Sequence, residues 1–337
     1  MKDEILEKLK NTQGYISGQQ LCNDFGVSRT AVWKAINRLK NEGYEIDSVT
    51  NKGYRLKSCP ELFSSDEIKK HLKTKYLAKE VVFYDKTGST NNDAAAYMRE
   101  RNASGILVAA SSQTEGKGRR GRAWESEKDS SVSFSLGLRP ELEVSKISML
   151  TLVMALAVQQ AVEKVTDLHT QIKWPNDIVI NGKKICGILT EMNMEMEYVT
   201  SVVIGVGINT GQKTFPDELK EKATSLYLEM NKGNMQSEDT KRQMPSRSLL
   251  TAECVNCFEK LYKKVKDAGD LTPIKKEYEE KLVNSGRKVT VLDPAGEYTG
   301  TAKGITDLGE LTVIREDGRE ESVYAGEVSV RGVYGYT

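Results

Sequence analysis

Histidine is nearly missing from this 337-residue chain; only His71 and His169 occur. That disfavours a His-rich zinc site and a His-based catalytic triad. Cysteine is sparse, and five is an odd number. A disulfide framework is therefore disfavoured, and a reducing cytoplasm is the expected setting. Net charge is nearly absent, with 49 Lys+Arg against 48 Asp+Glu giving +1. This excludes a globally basic nucleic-acid coat and an acidic tail, but leaves local basic patches open. Long apolar runs are missing too. The longest, Met149 to Val158, contains Thr151 and is too short to span a bilayer. Met1-Lys2-Asp3-Glu4 lacks the apolar core of a signal peptide, so no membrane association is expected. There is no G-x-x-x-x-G-K-[ST], and Gly205-Val206-Gly207-Ile208-Asn209 is not G-x-G-x-x-G. Any nucleotide chemistry must use another architecture.

What is present fits a soluble protein of two or three domains, with 38% apolar and 29% charged residues. Residues 1–60 read as a separate unit. Ile5, Leu6 and Leu9 stripe a first helix. Ser17 caps a second that buries Leu21 and Phe25, and Gly26 supplies a turn. Ser28 caps a third, burying Val32, Ile36 and Leu39. Glu45 to Val49 and Tyr54 to Leu56 form a hairpin around Asn51-Lys52-Gly53, and Cys59-Pro60 ends the unit. From 61 to 284, strands and helices mix without regular βαβ repeats, around a packing helix at Ile147 to Val165. Residues 229 to 248 are polar, with Met230, Met235 and Met244 as the only large apolar groups, and read as a flexible loop. Cys254 and Cys257 lie on the apolar face of the next helix and read as core. Residues 285–337 alternate short strands and turns, a small barrel-sized β module.

Three motifs carry chemistry. The third helix has Arg29, Lys34, Arg38 and Lys40 and no acid between Ser28 and Asn41. Thr30, Lys34 and Asn37 face away from its buried stripe. Such a helix sets its N-terminal residues on base edges while cations meet phosphates, and Lys52 and Arg55 of the hairpin can touch the neighbouring backbone. The bland alternative is an interaction module with a solvated basic face. Gly116-Lys117-Gly118-Arg119-Arg120-Gly121-Arg122 packs four cations and three glycines into seven residues. It is expected to be mobile when empty, and an anionic ligand would supply the missing counter-charge. Trp124 can stack on a planar ring. Finally, in Lys173-Trp174-Pro175-Asn176-Asp177, Asp177 can hold magnesium and Lys173 can pair with phosphate. Gly187, beyond Lys184, permits close ligand approach.

Gly88-Ser89-Thr90-Asn91, Gln113-Thr114, the Gly116 to Arg122 loop, Lys173 to Asp177, Lys184 to Gly187 and Gly205 to Asn209 occur in that order. Together they resemble the biotin–protein ligase family over nearly the whole chain. The N-terminal winged helix makes the chain similar to its bifunctional biotin operon repressor type. The resemblance implies an α+β protein: a winged helix-turn-helix, a core related to class II aminoacyl-tRNA synthetases, and an SH3-like barrel. It implies formation of biotinyl-5′-adenylate from biotin and ATP with Mg²⁺, then transfer to a lysine of a biotin carboxyl carrier protein. Operator DNA is the implied second partner, bound by a homodimer of the adenylate complex.

Carried over by motif, Lys184, Arg119 and Asp177 are the catalytic candidates, with Asp177 also the metal ligand. Ser89, Thr90, Asn91, Gln113, Lys117, Gly118, Arg119, Lys184 and Gly187 would hold biotin. Arg119, Arg122, Trp124, Lys173, Asn176, Asp177, Asn209 and Arg331 would hold ATP. Ser28, Arg29, Thr30, Lys34, Asn37, Arg38 and Lys52 are the candidate DNA contacts. The chain departs from the family in having Lys117 where Arg is common, and in its 229–248 segment. A lipoate–protein ligase and a repressor that merely senses a small molecule are the rival readings. The glycine–arginine loop argues against the first, and Lys184 with that loop against the second.

Overall fold

A computed structural model describes residues 1–41, 44–58, 62–124, 128–195, 198–233, 244–293, 296–325 and 329–332. The expected break at Cys59-Pro60, the middle of the 229–248 segment and Gly326 to Val328 lie outside them. The chain divides into two compact units, Met1–Leu62 and Phe63–Thr337.

The first unit has helices α1 (Lys2–Lys10), α2 (Gly18–Phe25) and α3 (Arg29–Asn41), then strands β1 (Glu45–Val49) and β2 (Gly53–Ser58). The caps follow the sequence. Ser17 Oγ accepts from the Gln20 amide at 3.1 Å, and Ser28 Oγ accepts from that of Ala31 at 3.2 Å. Gly26 ends α2 at φ +63°. Gly53, at φ +104°, is fixed by contact as well as by conformation. A Cβ there would lie 2.1 Å from the Ile16 carbonyl oxygen. Ile5, Leu9, Leu21, Val32, Ile36, Leu39 and Ile46 form one small core. A unit of this size buries a modest share of its surface, so truncating Ile36 to Ala should cost about 2–5 kcal/mol.

The second unit is built on a seven-stranded sheet ordered β3-β4-β5-β9-β8-β7-β6. The strands are β3 (Val81–Tyr84), β4 (Ile106–Ala110), β5 (Ser131–Leu138), β6 (Gln171–Lys173), β7 (Asp177–Ile180), β8 (Lys183–Glu195) and β9 (Tyr198–Asn209). Only β3 and β4 pair in parallel. Helices α4 (Ser65–His71) and α5 (Thr90–Arg101) lie in the first part of the unit. The core helix is α6 (Ser148–Thr166), with fourteen of its nineteen residues buried. With the preceding turn, Val144–Thr166 is long and apolar enough to cross a membrane, contrary to the expectation drawn from its apolar run alone. In this fold 72% of its most apolar stretch is buried inside the unit, chiefly beside α8 (Arg247–Ala268).

The flanks of the 229–248 segment are ordered, not loose. Helix α7 (Leu226–Met230) is capped by Ser225, Met230 is buried, and Met244 packs on the core. Arg247 is buried with its guanidinium over the Phe63 ring and paired to Asp129 at 2.9 Å. Polar composition concealed these anchors because each is one side chain among hydrophilic neighbours. Cys254 is buried and Cys257 half-buried, and burial pushes both thiols above the ordinary range. They behave as core residues.

After α9 (Thr272–Lys281), strands β10 (Lys288–Leu292), β11 (Tyr298–Ile305), β12 (Leu311–Arg315), β13 (Glu320–Val323) and β14 (Ser329–Gly332) form an antiparallel sheet ordered β13-β12-β11-β10-β14. Its inner residues, among them Val291, Ala302, Leu311 and Val313, join the same hydrophobic cluster as α6. Buried Trp174 pins the two together by donating its indole N–H to the Gly309 carbonyl at 2.9 Å. The cis Trp174–Pro175 bond follows it.

Candidate active site

The floor of the site is a row of small residues across the sheet. Gly187 of β8 faces Gly207 of β9, which faces Ser133 of β5; the next row runs Leu189, Gly205, Ser135. Glycine is required here by contact. A Cβ on Gly205 would sit 2.2 Å from Asn91 Oδ1, and one on Gly207 2.4 Å from the Trp124 indole. Side chains thus lie directly on the backbone of β8 and β9, forming a groove in an otherwise packed sheet.

At one end, the start of α5 makes a polar network. Gln113 Oε1 accepts from the Thr90 amide at 2.8 Å and from its hydroxyl at 3.0 Å. Ser135 Oγ sits 2.8 Å from Thr90 Oγ1 and 2.5 Å from Asn91 Oδ1. Its single proton serves one of them at a time. Asn91 donates to Glu191 Oε2 at 2.7 Å. Such a cluster of fixed donors and acceptors beside apolar Val206 and Ile188 suits a compact polar ring with an apolar tail.

At the other end, cations surround one carboxylate. Lys184 Nζ pairs with Asp177 at 2.6 Å. Arg119 donates to Asn176 Oδ1 at 3.1 Å and to the Ala325 carbonyl at 2.8 Å, and burial pulls its pKa down. Lys173 is 6% exposed. Burial pushes it down to about 8; Asp177 opposes this, and Lys184, Arg331 and Arg122 add to it. A cluster with this excess of positive charge favours an anion. Trp124 lies over the glycine floor, with Lys184 Nζ 5.5 Å from its ring centroid and its indole N–H buried without a protein partner.

The Gly116 to Arg122 loop is closed on itself. Gly118 N–H donates to the Arg122 carbonyl at 2.7 Å and Trp124 N–H to that of Gly116 at 2.8 Å. Arg120 takes the left-handed region at φ 59°. Four cations are tolerated because Arg119 points into the site while Arg120 and Arg122 stay exposed.

All nine residues expected at the biotin end, Ser89, Thr90, Asn91, Gln113, Lys117, Gly118, Arg119, Lys184 and Gly187, line this one pocket. Of those expected for ATP, Arg119, Trp124 and Asn176 line it, while Asp177 pairs with Lys184 of the lining and Lys173 feels the charge of both. Asn209 is buried. Its amide donates to the Thr224 carbonyl at 3.1 Å and accepts from Gln212. Exposed Arg331 and Arg122 reach the cluster through their charge on Lys173. Sequence reasoning missed Ser135, Glu191 and Gly207, which lie on β5, β8 and β9; the residues they meet lie far away in the chain.

A magnesium ion finds one carboxylate here, Asp177. Among the described residues no cluster of three or more His, Cys, Asp or Glu side chains could hold a metal. Magnesium is commonly held by one or two carboxylates plus substrate phosphates, so this donor set fits an ion arriving with the nucleotide.

A profile described as the biotin/lipoate A/B protein ligase family matches residues 85–209, flanked by an HTH domain profile at 2–55 and a biotin protein ligase C-terminal profile at 285–331. The bifunctional ligase/repressor BirA of Bacillus subtilis is 39% identical, with 94% of each chain covered. The chain belongs to the biotin protein ligase family. BirA of Escherichia coli is a more distant relative, 27% identical over 94% of this chain and 92% of its own. Among solved structures, the Aquifex aeolicus biotin protein ligase in complex with biotin and ATP matches at a TM-score of 0.63 and 28% identity. That match covers 75% of this chain and 99% of the other.

The HTH unit of this family member presents its expected DNA contacts openly. Arg29, Thr30, Lys34, Arg38 and Lys52 are exposed, Asn37 is half-buried, and Ser28 caps α3. Arg29 is steadied by Gln19 at 2.9 Å. Arg55 pairs with Asp47 at 2.8 Å and covers the Tyr15 ring.

Proposed function

We propose that this protein activates biotin with ATP and transfers it to a lysine of a biotin carboxyl carrier protein, and that its adenylate complex represses biotin genes. The single observation that carries the reading is one continuous pocket joining the Thr90–Gln113–Ser135–Asn91 network to the Arg119–Lys184–Asp177 cluster. Biotin's ureido ring suits the first, and two meeting anions suit the second.

In the first step biotin's carboxylate oxygen bonds the α-phosphorus of ATP, and the bond to the bridging oxygen breaks, releasing pyrophosphate. Lys184 and Arg119 offset the repulsion and the charge developing at phosphorus, each contribution about 2–4 kcal/mol for a preorganised group. Asp177 holds Lys184 in place between turnovers. Trp124 supplies the flat apolar surface on which adenine would rest. A magnesium ion, when bound with the phosphates against Asp177, supplies further charge neutralisation. In the second step the carrier's ε-amine bonds the acyl carbon and AMP leaves. Exclusion of water by the Gly116 to Arg122 hairpin protects the anhydride until then.

On this reading residues 1–60 bind operator DNA, 61–284 catalyse and 285–337 support the site, in the cytoplasm, as a homodimer when adenylate is bound. The test is mass spectrometry of a purified carrier domain after incubation with this protein, biotin and ATP. A single added biotinyl mass, absent without ATP, is the expected result; an unmodified carrier would overturn the reading.

A further inference from the structure

Helix α3 exposes one residue that its cationic character does not account for. Trp33 is 57% exposed, the most exposed large hydrophobic side chain among the described residues. It belongs neither to the small core of this unit nor to the half-buried residues packed around it. Buried Val32, Ala35, Ile36 and Leu39 mark the inner face. Trp33 stands outside it, one helical turn from Arg29 on one side and from Asn37 on the other, and next to Lys34. All three neighbours belong to the proposed DNA contacts, and no acid occurs from Ser28 to Asn41.

An exposed indole amid cations is poorly matched to water and well matched to a duplex. Uncharged, with one N–H donor and a large apolar body, it cannot neutralise a phosphate. In the major groove the apolar group accessible to a helix is the thymine 5-methyl. We propose that Trp33 is a base-reading residue, packing its ring on thymine methyl groups while Arg29, Lys34 and Arg38 hold the phosphates on either side. This rests on the reading of the first unit as DNA-binding. It adds that sequence preference comes partly from apolar contact and not from the cations alone.

The probe is a duplex selected from a randomised pool by the full-length protein with biotin and ATP, beside a shuffled duplex of the same composition. Trp33→Ala should lose about tenfold or more in affinity for the selected duplex and far less for the shuffled one. Its salt dependence should stay as in wild type, since no phosphate contact is removed. Replacing thymine by deoxyuridine at the contacted position should weaken wild type and leave Trp33→Ala unchanged. Trp33→Phe should recover part of the loss, and unchanged melting and carrier biotinylation confirm an intact protein. Equal affinity of Trp33→Ala and wild type, an equal loss on both duplexes, or deoxyuridine weakening both proteins alike would overturn the assignment. So would a change in self-association without DNA, which gives the ring to a second copy instead. A wild type that enriches no duplex would overturn the DNA-binding reading itself.

Discussion

The helix α3 and the Gly116 to Arg122 hairpin are both rich in cations and free of acids, yet they hold charge in opposite ways. On α3 the backbone is rigid and Arg29, Lys34 and Arg38 project into water. In the hairpin, Arg119 is drawn inward to Asn176, the Ala325 carbonyl and the field of Asp177, a field that buried Lys173 also feels. Exposed cations act collectively on a long polyanion and are screened by salt. Desolvated cations act singly on one phosphate, resist screening and shift their own pKa. The difference in burial, not in composition, separates a DNA-facing surface from a catalytic one.

Lys184 stands at the centre of the desolvated cluster. Lys184→Ala should keep the fold and lower pyrophosphate exchange by roughly 10²–10³, the effect of removing one preorganised charge. Near-normal exchange would remove Lys184 from the chemistry. Arg119→Gly comes next. It should raise the adenylate off-rate and label lysines indiscriminately. Because it strands the Asn176 and Ala325 acceptors, it should also cost about 1–3 kcal/mol of stability. A melting curve identical to wild type would show that the two hydrogen bonds contribute nothing.

Lys173 gives a pH test. Burial depresses its pKa to about 8 in the folded protein, so it loses its proton there while the unfolded chain still holds it. From this group alone, stability should rise with pH between about 8 and the ordinary lysine range. An anion placed beside it should restore the proton, so ATP binding near pH 9 should take up a proton and binding near pH 7 should not. Calorimetry in buffers of different ionisation enthalpy reads this directly; no buffer dependence at pH 9 would refute it. The smallest effect belongs to α3, where Lys34→Ala should reduce the salt slope of operator binding by about one, uniformly across sequences.

Much of this was legible in the chain. The caps Ser17 and Ser28, the stripe Val32–Ile36–Leu39 and the packing helix follow from local periodicity, and motif order picks out nine residues that line one pocket. What stayed hidden is non-local. Ser135 meets Asn91 across 44 positions, and Arg119 meets Ala325 across 206. Asn209 sits in a matching motif, but its hydrogen bonds to Thr224 and from Gln212 come from a segment beyond that motif. The anchoring of Arg247 over Phe63 depends on a ring brought from the far end of the unit. Periodicity reveals which face is buried, not which polar group waits there.

The measurement that bears most directly on the account is operator binding by the full-length protein, with and without biotin and ATP, at several salt concentrations, beside pyrophosphate exchange in the same buffers. Tight binding is expected only when adenylate can form, steeply weakened by salt, while exchange changes little. Equal DNA affinity in both conditions, or exchange falling with salt as steeply as DNA binding, would contradict it.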